Sequence, residues 1–128
     1  MKGQLSLSGL EGYLEDLARA GQDVDAAAQK ALVAGGEVLA ADMRVRVPKD
    51  THHLEETIGV SDPHQDGNFS YVNVGVITDD AETAIYGNVQ EFGSSSVQAQ
   101  PYIRPSFRSK KSAAMKAMKA SLEEDGWL

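Results

Sequence analysis

"FSYVNVGVIT", residues 69–78, decides the fold. Val72, Val74 and Val76 alternate with Phe69, Tyr71 and Ile77, so an extended chain carries apolar groups on both faces. Valine, isoleucine and aromatics at period two read as strand. Apolar residues on both faces predict a central strand covered on both sides. Just upstream, "DPHQDGN" (62–68) is a turn cluster, and "ETIGVS" (56–61) places Ile58 and Val60 on one face. The two strands are expected to pair antiparallel, closed by that cluster. "QLSLSG" (4–9) alternates too and reads as a short edge strand.

Helical spacing appears on either side of this sheet. Asp23 or Asp25 opens a long helix that stops at Val47, because Pro48 pushes the preceding residue out of the helical region. Its stripe is Val24, Ala28, Ala31, Leu32, Gly35, Val38, Leu39 and Met43, rich in small residues that permit close approach. An earlier helix is expected over "SGLEGYLEDLARAG" (8–21), capped by Ser8 and ended by Gly21. After the strands, a short helix is expected to put Ile85, Val89 and Phe92 on one side. Pro105 suits the first turn of a last helix, with Phe107, Ala114, Met115, Met118 and Leu122 as its apolar edge. The sum is one α+β domain over residues 1–128. It has a small, mainly antiparallel sheet, a long helix packed across it, and short N-terminal and basic C-terminal helices.

Composition narrows the function. With 128 residues and 41% apolar content, the chain suits a single core. No apolar run reaches the ~18 residues of a membrane span, and no basic-then-apolar start suggests a signal peptide. There is no cysteine, which excludes disulfides and thiolate chemistry. Residues 1–103 hold 16 acids and 6 bases; residues 104–119 hold six bases and no acid. A pI near 4.8 argues against a general nucleic-acid binder. Such segregation suits head-to-tail association of copies, or simply a solvated basic helix.

Chemistry-bearing patterns are sparse, and no cofactor motif is present. His52 and His53 are adjacent, with Glu56 nearby, but they lack the spacing that puts two histidines on one helix face. A metal-dependent hydrolase or nuclease would have to use them with Glu55, Glu56 and Glu91. "LVAGGEV" (32–38) lacks the phosphate-loop spacing, and Ser94, Ser95 and Ser96 have no histidine partner nearby in sequence. Tyr102 and Phe107, beside Arg and Lys, are candidates for stacking on nucleic acid or for core packing.

The most distinctive stretch is "QEFGSSSVQAQPYIRPSF" (90–107). Gly93 ends a helix, and Pro101 and Pro105 bracket Tyr102, Ile103 and Arg104, an arrangement expected to hold "PYIRP" extended at low entropic cost. Alternation would turn Tyr102 and Arg104 one way and Ile103 the other. The segment either pins the last helix to its own core or presents a pre-shaped element to a neighbour.

Three motifs occur in order: Pro48, Thr51, Leu54 and Ile58; then Tyr86, Glu91, Phe92 and Gly93; then Gln100, Pro101, Tyr102 and Pro105. Together they resemble the neck and tail-completion proteins of long-tailed phages. His52, Thr57, Gly87 and Ser94 depart from that family's usual residues. The resemblance implies a structural, non-enzymatic virion protein of the head–tail junction, made in the host cytoplasm. It implies a homo-oligomeric ring, a hexamer by the tail's symmetry, that completes or terminates the tail. Its partners would be the head connector and tail tube proteins, with genome DNA passing through the lumen without specific binding. The candidate interface residues are Glu91, Phe92, Gly93, Gln100, Pro101, Tyr102, Ile103, Arg104 and Pro105. A non-ring adaptor that binds protein partners is a further alternative.

Overall fold

The structure is a computed structural model and describes residues 2–6, 24–49, 53–67 and 69–126. The elements run β1 (Lys2–Ser6), α1 (Val24–Arg46), α2 (His53–Thr57), β2 (Ile58–Val60), β3 (His64–Asp66), β4 (Phe69–Val76), α3 (Ala81–Phe92) and α4 (Ile103–Glu124). The α+β class and the long first described helix are as the sequence leads one to expect. The helix expected over 8–21 lies outside the described residues.

β4 is the middle of an antiparallel sheet. β1 pairs along one side, from Lys2 opposite Gly75 to Ser6 opposite Tyr71. β2 and β3 share the other side, with Ile58 opposite Val76 and His64 opposite Tyr71. Between them Ser61, Asp62 and Pro63 face only Val72 and Asn73, so one extra residue bulges out. Proline suits such a position because it has no ladder N–H to give. The extra residue flips the alternation. Ile58 and Val60 share the core face with Val76 and Val74, whereas His64 and Asp66 share the outer face with Tyr71 and Phe69. There His64 stacks on Tyr71 with ring centroids 5.2 Å apart.

Two sequence expectations change here. The connection is not one long loop: "HQD" is itself a strand, paired as far as Asp66 opposite Phe69, and Gly67 follows it at φ 62°. Nor, among the described residues, is β4 covered on both sides. Among the described residues the helices sit on the Val72, Val74 and Val76 face, while Phe69 on the other is exposed. An apolar residue every second position showed where the side chains point, not whether a second layer lies over them.

α1 and α4 run antiparallel over the covered face. Lys30 at one end of α1 pairs with Asp125 just past the end of α4, at 2.8 Å. At the other end Asp42 meets Ser106 in the first turn of α4. Ala27, Ala28, Ala31, Leu32, Leu39 and Met43 of α1 join Ala114, Met118 and Leu122 of α4 and the β4 valines in one core. Small residues on α1 let the backbones close up. A Cβ on Gly36 would stand 2.9 Å from Val60 Cγ1 and 3.3 Å from Val74 Cγ2. The free edge of β2 is partly covered, since the Arg44 guanidinium donates to the Ile58 carbonyl at 2.8 and 3.2 Å.

Gly36→Leu therefore overpacks the helix–sheet contact and should lower stability by about 1–3 kcal/mol. The same change at exposed Ala41 should have little effect, and urea denaturation of the two variants checks the contrast.

Candidate functional site

A helix begins with N–H groups that have no partner within it. In α4 these belong to Tyr102 at the cap, Ile103 and Arg104; the next residue, Pro105, has no N–H. Glu91, from the last turn of α3, supplies the missing acceptor. Its Oε1 accepts from Tyr102 N at 2.9 Å and Ile103 N at 2.7 Å, and its Oε2 accepts from Arg104 N at 3.1 Å. Arg104 Nε adds a charged donor to Oε2 at 2.7 Å, and its Nη2 reaches the Glu91 carbonyl at 2.7 Å. The Glu91 side chain is 0% exposed. A buried carboxylate at a helix N-terminus, bound by four N–H donors, is charge-compensated and fits the helix dipole.

Tyr102 inserts beneath this carboxylate. Its hydroxyl donates to the Gly87 carbonyl at 3.0 Å, and its ring is fully buried. Gly87 is what lets it in: a Cβ there would lie 3.0 Å from the Tyr102 hydroxyl, 3.1 Å from Val76 and 3.2 Å from Leu54. The connecting loop is bonded as well. Gly93 N donates to Val89 O, Ser94 N to Val97 O, and Gln100 N to Gln90 O. Gly93 takes φ 79°, ψ 179°, a region that glycine alone enters freely, and a Cβ there would sit 2.9 Å from the backbone of Val97 and Ala99.

A polar seam fixes the other side of the same helix start. The buried Ser106 hydroxyl lies 2.8 Å from both Asp42 Oδ2 and the Tyr102 carbonyl, and its single proton serves one at a time. Arg46 donates to Asp42 Oδ2 at 2.6 Å and to Ser109 Oγ at 2.9 Å. Burial pushes the Asp42 carboxyl up, but the hydrogen bonds from Arg46 and Ser106 outweigh it and hold the pKa below the ordinary value. Burial likewise pushes Glu91 up, and the Ile103, Tyr102 and Arg104 donors more than reverse it. For the Tyr102 hydroxyl, burial and then the Glu91 charge act together and raise its pKa far above the usual phenol range.

The structure thus distributes the sequence-derived candidates over two surfaces. Glu91, Tyr102 and Ile103 are buried, Gly93 and Pro105 half-buried, and Phe92, Gln100, Pro101 and Arg104 exposed. "PYIRP" is not extended, because α4 starts at Ile103. Tyr102 and Arg104 consequently part company, Tyr102 inward and Arg104 outward, where its guanidinium lies 4.6 Å over the Phe92 ring. The expected face of α3 is inverted as well. Thr83, Gly87, Gln90 and Glu91 point inward, while Ile85 is 64% and Phe92 47% exposed. The carboxylate can reach α4 only if its side of α3 faces in, so the Ile85 stripe faces out.

Of the residues of the hydrolase alternative, His53, Glu55 and Glu91 are otherwise engaged, and Glu56 is exposed. His53 Nε2 lies 3.0 Å from Thr83 Oγ1, whose own proton goes to Asp80 at 2.6 Å, so the histidine nitrogen is the donor. Glu55 lies 3.2 Å from Lys49 Nζ, and Glu91 is committed to α4. His52 is outside the described residues. Among the described residues no three His, Asp or Glu side chains gather as a metal site. Tyr102 and Phe107 belong to the core or its edge. Sequence reading missed Asp42, Arg46, Ser106 and Gly87. The i, i+4 spacing of Asp42 and Arg46 beside buried Met43 was the one available signal.

Fold and joint define a small α+β domain whose buried charge holds its own helices together. Residues 9–93 match the family model described as "Bacteriophage HK97-gp10, putative tail-component". The match covers well over half of the chain, and the chain belongs to this HK97-gp10-like family of phage tail components. Searches of curated proteins and of solved structures return no match. The matched residues end at Gly93, so they include Glu91 but not the helix it caps. No helix among the described residues is long and apolar enough to cross a membrane.

Glu91→Ala should cost about 3–5 kcal/mol, because it strips the acceptor from buried donors. Glu91→Gln keeps one oxygen and should cost less. Because the folded pKa of Glu91 is depressed, its contribution is complete above the ordinary value of 4.5 and is lost as pH falls through the folded value. Urea titrations across the acid range should therefore show a steeper loss for wild type than for Glu91→Gln. Gly93→Ala should cost about 1–3 kcal/mol by the same measurement.

Proposed function

We propose that this chain is a structural subunit of the phage head–tail junction. In this reading copies form a ring, six in number to match the tail's symmetry, that completes or terminates the tail and joins it to the head connector. Genome DNA passes through the lumen. The protein works by shape-matching and not by bond-making.

One observation carries the reading beyond tail-component membership: α3 turns its polar side inward and leaves Ile85 and Phe92 in solvent. An apolar stripe on a helix whose own core contacts are made by Gly87, Gln90 and Glu91 has the character of a contact surface. The charge distribution supports the same reading. A chain of formal net charge −7, with its acids concentrated in residues 1–103, suits a conduit that DNA must slide through without sticking, since basic linings bind phosphates.

Deleting the gene from the phage or prophage tests this directly. Lysates should contain filled heads and separate tails by electron microscopy, with joining restored when the chain is supplied from a plasmid. Normally joined, infectious particles without the chain would overturn the proposal.

A further inference from the structure

Charge along this chain is divided to an unusual degree. Between Lys49 and Arg104 there is no lysine or arginine, while nine aspartates and glutamates occur. α3 lies within that stretch, and its outward stripe reads Glu82, Ile85, Tyr86, Val89 and Phe92 at helical spacing. Of these only Val89 is even half-buried without counting as exposed, and Asp79 stands exposed just before the helix. The stripe is thus apolar with an acidic end.

α4 carries the complement. Arg108, Lys111, Lys116 and Lys119 are exposed, no acid occurs before Glu123, and the exposed Ser112 and Ala113 between the lysines are short. Exposed arginine and lysine side chains carry apolar stems beneath their charged heads, so this face offers both to a partner. The molecule already shows one such pairing internally, where Arg104 of α4 covers the Phe92 ring. Among the described residues both faces point away from the core, so each is available to another molecule.

We propose that the outward stripe of α3 receives the basic face of α4 from a second copy of this chain. Ile85 and Tyr86 pack against the apolar stems of its lysines and arginine, and Glu82 and Asp79 meet their charges. The two faces are different surfaces of one chain, so the contact is heterologous. Repeating it head to tail either closes a ring or extends a filament. Opposite charge fixes which face meets which, and like charge opposes α3-to-α3 and α4-to-α4 contacts. This rests on the self-assembly reading above and names its surfaces.

The test uses two full-length variants: Ile85→Asp, which disables the α3 face, and Lys111→Glu with Lys116→Glu, which disables the α4 face. All three positions are exposed, and unchanged far-UV circular dichroism and melting confirm folding. Association is read by native mass spectrometry, for the chain alone and on isolated tails. Wild type should associate. Each variant alone should weaken association on the order of tenfold or more. Mixed together they should form 1:1 dimers that grow no further, because one intact face of each kind remains. Three results would overturn the inference while sparing self-assembly. They are wild-type-like association of either variant, no dimer on mixing, and loss of duplex DNA retention in the lysine variant with association unchanged. Wild type that stays monomeric both alone and on tails would remove the ring reading together with this one.

Discussion

The fold depends on one carboxylate placed at the start of one helix. Glu91 answers the N–H groups of Tyr102, Ile103 and Arg104, and Pro105 has none to answer. Without that acceptor the first turn of α4 would bury donors at a cost comparable to much of a small domain's net stability. With it, α4 is fixed at a defined angle to α3, and Tyr102 is carried into the core beneath Gly87. The Asp42 and Ser106 contact then ties the same turn to α1, so three helices meet at one point. α1 and α4 are already held by apolar packing. The joint decides where α3 sits relative to them.

That placement has a functional consequence. To aim Glu91 inward, α3 gives its inner positions to Thr83, Gly87, Gln90 and Glu91, and Ile85 and Phe92 are left outside. A requirement of internal stability thereby creates an external apolar stripe. The family match ends at Gly93, so the acceptor lies inside the matched residues while the helix that needs it lies beyond them. α4 also carries most of the chain's exposed positive charge. The same joint therefore sets the spatial relation between an acidic-ended apolar face and a basic face.

A comparable economy governs the sheet. One bulged residue between β2 and β3 keeps Ile58 and Val60 on the core side while sending His64 and Asp66 to the outer side. A continuous register would have turned those polar residues toward the helices. The pattern of apolar residues in "TIGV" and "HQDG" contains both halves of this solution, but the break between them depends on pairing with β4.

Local physics was legible in the sequence. The long helix ending before Pro48, the valine strand and the apolar edge of α4 each follow from periodicity and from what proline and β-branched residues permit, and the edge strand expected over residues 4–9 is found at Lys2–Ser6. Those signals depend only on neighbours along the chain, so one sequence suffices to read them. The tertiary structure alone decided which side of α3 faces in and which side of β4 is covered. It also decided whether "PYIRP" is extended or helical. Hydrophobic spacing marked Ile85, Val89 and Phe92 as the natural inner face of α3, yet four N–H donors twelve residues downstream outweighed it. A buried charge must find its partners wherever they lie, and that long-range demand is invisible to any local pattern.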